Sequence, residues 1–507
     1  MSKDCEIEFK FALLPGAAAA LRKCALLREN CLGVPIRRKV FCVYFDTPAL
    51  ALRQRGMALR LRKVSGKWQQ TLKTAGVIAG GLHQRGEWEF ALPACQLDLS
   101  LFADTPLATL PGKSELHLVL APVFTTEFHC TAWLIETTPG ERMEVALDQG
   151  LVRCGDNSSV ISEVEIELIE GAVAGVFDIA LALLQQIELR PERQSKAERG
   201  YQLRAPEPCE PQRARTTVLK RKWSALEAMR ATFVNCIDHI EANVAGAISS
   251  DDIEYVHQLR VALRRLRSAI RIFGPAHAEK IDAELKWLAA ELRAARDWDV
   301  LVAETLPALL GAYGDQQCTA ALLRAANKQK AEARVVACAA LESTRASMLR
   351  VTLARWVNVP GELTFPASAG SEADGQTLQT PRLSRFAAHK LGRANRRLTG
   401  VNGTVSALSA EARHRVRIDA KKLRYAVDFL GSLFDRKRVA RHTGMLGGIQ
   451  DLLGETNDGV VAMRLLANLA PPAPFIDFAR GWFAARTRGA IDEVDCHFAK
   501  LKTMKRL

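Results

Sequence analysis

The hydrophobic and polar positions follow two different rhythms, and the change falls near residue 205. Before it the dominant period is two. Glu6-Ile7-Glu8-Phe9-Lys10 alternates so that Glu6, Glu8 and Lys10 share one strand face and Ile7 and Phe9 the other. Leu59-Arg60-Leu61-Arg62 does the same with two guanidiniums, and Gln70-Thr71-Leu72-Lys73 with an ammonium. Gln84-Arg85-Gly86-Glu87-Trp88-Glu89 is a mixed-charge run, and Ser162-Glu163-Val164-Glu165-Ile166-Glu167-Leu168 carries three carboxylates. A solvent-facing sheet explains any one of these strands. Acids on two strands and bases on three others predict instead a closed antiparallel barrel with a polar lumen. Stretches 15–30 and 173–186 read as helices set into the strand pattern.

Ala205-Pro206-Glu207-Pro208-Cys209-Glu210-Pro211 excludes a helix and predicts an extended linker over 205–215. Beyond it the period becomes helical. His257, Arg260, Arg264, Arg267 and Arg271 form a cationic stripe beside an apolar one of Leu259, Leu263, Leu266, Ile270 and Phe273. A shift of 157 residues repeats the pattern: His414, Arg417, Lys421 and Arg424 beside Val416, Ala420, Leu423, Val427 and Leu430. Asp428 replaces the last cation. Leu292-Arg293-Ala294-Ala295-Arg296-Asp297 has a weaker echo in Leu453-Gly454-Glu455-Thr456-Asn457-Asp458, shifted by 161. The stretch 359–381, rich in Gly, Ser, Thr and Pro, predicts a mobile loop between two repeats of about 216–355 and 382–500.

Charge sharpens the division. Residues 1–210 hold 24 Lys+Arg against 26 Asp+Glu; residues 211–507 hold 46 against 30, so the net charge of +14 belongs wholly to the second part. A polyanionic partner is expected there. Few aromatics interleave with the cationic stripes, which serves stacking on nucleic-acid bases poorly. Twelve cysteines without a Cys-x-x-Cys pair argue against a zinc site and for thiols in a reducing cytoplasm. No signal peptide and no membrane span are expected, and no nucleophile elbow or dinucleotide fingerprint points to carbon chemistry.

Glu6-x-Glu8-x-Lys10, Arg60-x-Arg62, Thr71-Leu72-Lys73, Asp148, Glu163-x-Glu165 and Ser195-Lys196-Ala197-Glu198-Arg199-Gly200-Tyr201 resemble, in order across 1–204, the CYTH or triphosphate tunnel metalloenzyme superfamily. The resemblance implies an eight-stranded antiparallel barrel with inserted helices that hydrolyses inorganic triphosphate with Mg2+ or Mn2+. Lys10, Arg60, Arg62, Lys73, Arg85 and Lys196 take the phosphate-binding roles. Glu6, Glu8, Glu163 and Glu165 take the metal, with Asp148 and Glu167 as weaker candidates. His257-x-x-Arg260-x-x-x-Arg264-Arg265-x-Arg267 and His414-x-x-Arg417-x-x-x-Lys421-Lys422-x-Arg424 resemble the CHAD domain, over about 216–500. That implies two four-helix bundles about a pseudo-twofold axis whose basic surface holds inorganic polyphosphate. CYTH followed by CHAD is a bacterial pairing, which implies a cytoplasmic enzyme.

Alternatives remain open at this stage. The tunnel could act on thiamine triphosphate or as a class IV adenylate cyclase, because the shared motifs read only phosphates. The chain could instead be a non-catalytic polyphosphate-binding protein. One departure from the CYTH pattern matters: the strand Phe128-His129-Cys130-Thr131-Ala132-Trp133 has no Arg where relatives usually carry one near Cys130. No Lys or Arg lies between Lys113 and Arg142, so either the rate suffers or His129 fills the gap.

Overall fold

The computed structural model describes residues 5–109, 119–314, 316–366 and 382–505, without the side chains of 316–319. The part of the expected mobile loop from 367 to 381 lies outside the described residues. The chain divides into two compact units, residues 1–210 with 342–362, and residues 211–341 with 363–507.

The first unit is built on one antiparallel sheet. Its strands are β1 (Glu6–Leu13), β2 (Ile36–Asp46), β3 (Met57–Val64), β4 (Lys67–Thr74), β5 (Val77–Ala79), β6 (Leu82–Arg85), β7 (Glu87–Leu92), β8 (Ala121–Thr138), β9 (Glu141–Cys154), β10 (Asn157–Glu170) and β11 (Leu189–Pro191). Their order is β5-β6-β1-β10-β9-β8-β2-β3-β4-β7, with β11 added to β1. The expected closed eight-stranded barrel is not formed. The sheet is an open, strongly curled half-barrel whose edges stand 13 Å apart. The break has a local cause. The run from Leu82 to Leu92 could have bridged the gap, but it divides at Gly86, its first part pairing with β1 and its second with β4. A Cβ on Gly86 would come within 2.5 Å of the Trp88 ring, so the bend admits no side chain. Among the described residues no hydrogen-bonded ladder joins the sheet's two edges.

Alternation does the sorting between the sheet's faces. Phe9, Phe11, Val145, Leu147, Val164 and Ile166 point outward into an apolar core closed by helices, among them Val173–Leu184. A further cover is the helix Thr344–Asn358, which reaches this unit from far along the chain and contributes Val351 and Ala354. Arg350 donates to the Pro191 carbonyl at 3.0 Å, and Asn358 donates to that of Ala79 at 2.9 Å, fixing it against strands β11 and β5. The concave face carries the charged side chains, beside a buried apolar cluster that includes Tyr44, Phe124, Phe128 and Tyr201.

The second unit is all helix. The stripe helices are Ile253–Phe273 and Ala410–Leu430, each 21 residues, so both ends coincide after the shift of 157. The surroundings do not repeat, and the expected pair of pseudo-twofold four-helix bundles is replaced by a set of more than four interacting helices. In the second half one helix, Arg436–Ala467, runs 32 residues without a proline. In the first half the corresponding path is Glu279–Glu291, Arg293–Val300, a π turn at Leu301–Thr305 and Leu306–Tyr313. Pro307 at the start of the last piece cannot donate to the preceding turn, which accounts for the widened winding before it. The helix 344–358, which follows the first half in sequence, belongs to the other unit. No helix among the described residues is long and apolar enough to cross a membrane.

Candidate functional site

Strands β1 to β10 and the helix Lys196–Arg204 line a cavity of about 810 Å3. The opening strand supplies its floor: Glu6, Glu8 and Lys10 are at most 4 % exposed although all three can ionise. Such burial requires partners. Glu6 accepts from Lys73 at 2.7 Å and from Arg85 Nε at 2.7 Å. Glu8 is bound by Arg85 and lies 3.1 Å from Lys10, which donates to Glu165 at 2.7 Å. Lys73 also meets Glu87 at 3.2 Å, and Arg60 meets Glu87 at 3.5 Å and the Tyr44 hydroxyl at 3.4 Å. Arg62 and Glu167 line the same space.

The motif Ser195 to Tyr201 divides its residues between fastening the helix and furnishing the cavity. Ser195 caps it by accepting from Glu198 N at 3.1 Å, and Glu198 returns the bond to Ser195 N at 2.6 Å. Gly200 lets the helix lie on Phe124, whose ring would be 2.2 Å from a Cβ there. Tyr201 donates to Asp46 Oδ2 at 3.0 Å. Lys196, in the first turn, thereby enters a group of three carboxylates: 2.7 Å from Asp148, 2.6 Å from Glu163 and 2.9 Å from Glu165. Arg199 completes the shell by binding Glu163.

The acids therefore form two groups. Asp148, Glu163 and Glu165 have ligand oxygens within 4.8 Å of one another and could coordinate a divalent metal. Glu6 and Glu8 serve Lys73, Arg85 and Lys10. Burial opposes ionisation of Glu165, yet Lys10 and Lys196 hold its carboxyl well below the usual range. Burial likewise opposes Glu6, and Lys73 and Arg85 overcome it. For Asp148 and Glu8 burial wins and the carboxyls are raised, despite Lys196 beside one and Lys10 and Arg85 beside the other. Lys196 and Arg85 are raised, because the surrounding carboxylates outweigh the cost of burial. His83, opposite Glu8 on β6, is pushed down to about 3 by burial and by Lys10, Arg85 and Arg193.

Cys130 lines the cavity and His129 is exposed on the other face. His129 is thus not in place to fill the missing charge. Sequence reasoning gave no role to Arg38, Tyr44, His83, Glu87, Glu144 and Arg199, although Glu87 and Arg199 stood within the quoted motifs. Arg38 was detectable, since Val40, Cys42 and Tyr44 put it in phase with the buried face of β2.

In the helical unit the two stripes converge, and part of each is used elsewhere. Arg264 lies near Arg417 and Lys421 of the other repeat. Arg260 and His257 join them, with Arg293 and Arg296 from the helix Arg293–Val300. The interleaved carboxylates are Asp297 and Asp458, equivalent residues of the weaker repeat, and Glu254 beside His257. Arg464, not singled out from sequence, pairs with Asp297 at 3.2 Å. The remaining members point away. Arg265 is buried against the Phe429 ring, 5.0 Å from its centroid. Arg267 is bound to Asp282, Arg271 is exposed near it, Lys422 pairs with Asp419, and Arg424 donates to Gln450. His414 is exposed at its end of the stripe.

Crowding shows in the protonation of this cluster. Burial and neighbouring cations bring Arg260 down to about 10 and Lys421 down to about 8, and they lower Arg417. His257 is pushed down to about 4 by burial and Arg296, with Arg264 and Arg260 adding to it.

A curled sheet with an ion-paired cavity, followed by a helical unit with a duplicated cationic helix, defines a protein of two charged sites. The CYTH domain model matches residues 4–201 and the CHAD domain model residues 231–467; the chain belongs to the proteins that carry a CYTH domain followed by a CHAD domain. It is 35% identical over 164 residues to an inorganic triphosphatase of Haemophilus influenzae, a match covering 32% of this chain and 44% of that protein. The chain thus spans less than half the length of this curated relative. Among solved structures, the CHAD domain of the plant Ricinus communis is 31% identical, with 59% of this chain and 98% of that one covered at a TM-score of 0.49. A putative adenylyl cyclase from Hippeastrum, described as having a dominant triphosphatase activity, is 20% identical, with 39% and 96% covered and a TM-score of 0.29.

Proposed function

We propose that this protein hydrolyses inorganic triphosphate in the sheet cavity, with Mg2+ or Mn2+, and holds inorganic polyphosphate on the helical unit. One observation carries the reading: the cavity concentrates Lys10, Arg60, Lys73, Arg85 and Lys196, each already matched to carboxylates or a phenol. A simple anion trap has no need of so many acids, whereas a site for a metal and a polyphosphate together uses both signs.

The donor set fits the metal. Asp148, Glu163 and Glu165 offer hard oxygen ligands, and Asp148 Oδ1 is buried without a hydrogen-bond donor. A divalent ion at such a site supplies charge neutralisation and an activated water. The chain's own residues do the rest. Lys73 and Arg85 exchange Glu6 and Glu8 for phosphate oxygens, and Arg60 exchanges Glu87. Lys10 and Lys196 hold Glu165 ionised. His83, neutral at pH 7, adds no charge to the grip. On the helical unit, Arg260, Arg264, Arg417 and Lys421 gain relief of mutual repulsion when a chain of phosphates lies between them.

The test is phosphate release from inorganic triphosphate, thiamine triphosphate and ATP, each with and without Mg2+ and Mn2+. Inorganic triphosphate is expected to be the preferred substrate and the metal to be required. Equal or greater release from an organic triphosphate would overturn the substrate assignment.

A further inference from the structure

We infer that Arg38 is a substrate-positioning residue of the cavity: when triphosphate enters, its guanidinium leaves Glu144 and binds the anion at the wall made by β2, β8 and β9. This rests on the triphosphatase reading above. The lining that β8 and β9 contribute, Phe128, Cys130, Glu144, Ala146 and Asp148, contains no cation. A polyanion seated there would face a carboxylate-bearing wall. Arg38 stands at the edge of that wall, on β2 directly opposite Cys130, which is itself opposite Asp148 on β9.

Its bonding suits a cation held in reserve. Lys10, Lys73, Arg85 and Lys196 each contact at least two carboxylates. Arg38 has one carboxylate contact, to Glu144 at 3.2 Å, and the side chains are 24% and 28% exposed. Its Nε is buried and has no acceptor. A single ion pair that remains partly open to solvent contributes little to stability, so exchanging it for a phosphate costs little. The guanidinium fork matches two phosphate oxygens at once. Cys130 leaves room: its short side chain lines the cavity between Arg38 on one neighbouring strand and Asp148 on the other.

Steady-state kinetics of the full chain on inorganic triphosphate with Mg2+ test the inference, with thermal melting to check each fold. Arg38→Gln should raise KM by about tenfold or more, the worth of a hydrogen bond to a charged group, with a smaller change in kcat. Arg38→Lys should recover part of the loss. Glu144→Gln frees the guanidinium and should lower KM, whereas a merely structural ion pair would make both variants fail alike. Arg38→Gln combined with Cys130→Arg returns a cation to the facing position and should restore KM. An unchanged KM in Arg38→Gln, or equal increases in Arg38→Gln and Glu144→Gln, would overturn the role. If wild-type protein hydrolyses no triphosphate, the proposed function fails separately. Calorimetric titration of inorganic triphosphate then reads Arg38 alone, with the same order of variants expected and equal affinity of Arg38→Gln and wild type overturning it.

Discussion

Lys196 and Lys421 are both partly or wholly enclosed ammonium groups, and their surroundings move them in opposite directions. Burial lowers both. In the sheet cavity Asp148, Glu163 and Glu165 more than reverse this for Lys196. In the helical cluster Arg417 and Arg264 deepen it for Lys421, with Asp458 as the counterweight. The cavity is balanced in its resting state and must give up internal ion pairs to take a ligand. The helical cluster stores repulsion that its carboxylates offset only in part, and an anion relieves it directly. Balanced charge suits exchange and turnover; stored repulsion suits retention.

The largest effect should come from emptying the balanced site. Glu163→Gln with Glu165→Gln should reduce triphosphate hydrolysis by about a hundredfold or more, as loss of a preorganised charged group does, and added Mg2+ should restore part of it. Glu6→Gln with Glu8→Gln should damage hydrolysis comparably without responding to Mg2+, because those acids hold Lys73 and Arg85 in place. Polyphosphate retention should be unaffected in both. Identical metal responses would erase the distinction between the two acid groups.

Charge reversal in the other site should be smaller and should spare hydrolysis. Arg264→Glu with Lys421→Glu should weaken polyphosphate retention by about tenfold and flatten its salt dependence, since fewer phosphate contacts remain. Retention that matches wild type across a salt series would reduce the cluster to a solvated face.

The smallest effect is a pH step. Lys421, held down to about 8, loses its charge as pH rises from 7 to 9. Polyphosphate affinity should then fall by about two- to threefold, and binding near pH 8 should take up protons, because the anion favours the charged form. Lys421→Arg should remove the step. The cavity cations Lys196 and Arg85 are shifted upward, so triphosphate KM should show no matching change over that range. A step of equal size in both assays would mean that the contrast between the sites is not electrostatic.

Alternation exposed the shared face of Glu6, Glu8 and Lys10, and repetition exposed two helices that prove equal to the residue. Both are local or periodic facts, which a sequence records directly. Closure of the sheet is neither. Alternation says which way a side chain points, and it is silent on whether two distant edges pair; that was decided by the bend at Gly86. Arg38 hid in Arg37-Arg38-Lys39, where three adjacent cations look like a solvated surface until Val40, Cys42 and Tyr44 fix the phase. The unequal halves of the helical unit were similarly obscured. An apolar stripe like that of Leu349, Val351, Leu353 and Ala354 shows that a helix is buried, but not in which core.

That helix, Thr344–Asn358, sets the order in which the protein can be finished during synthesis. The sheet strands leave the ribosome first, yet Phe177, Val164 and their neighbours lack the cover of Val351 and Ala354 until more than a hundred further residues have followed. In the interval the nascent first unit carries an open apolar flank, a surface for chaperones or for unwanted association. The second unit begins before that flank is covered and ends after it. The two are threaded through one another's folding time, so neither half of the gene encodes a finished part.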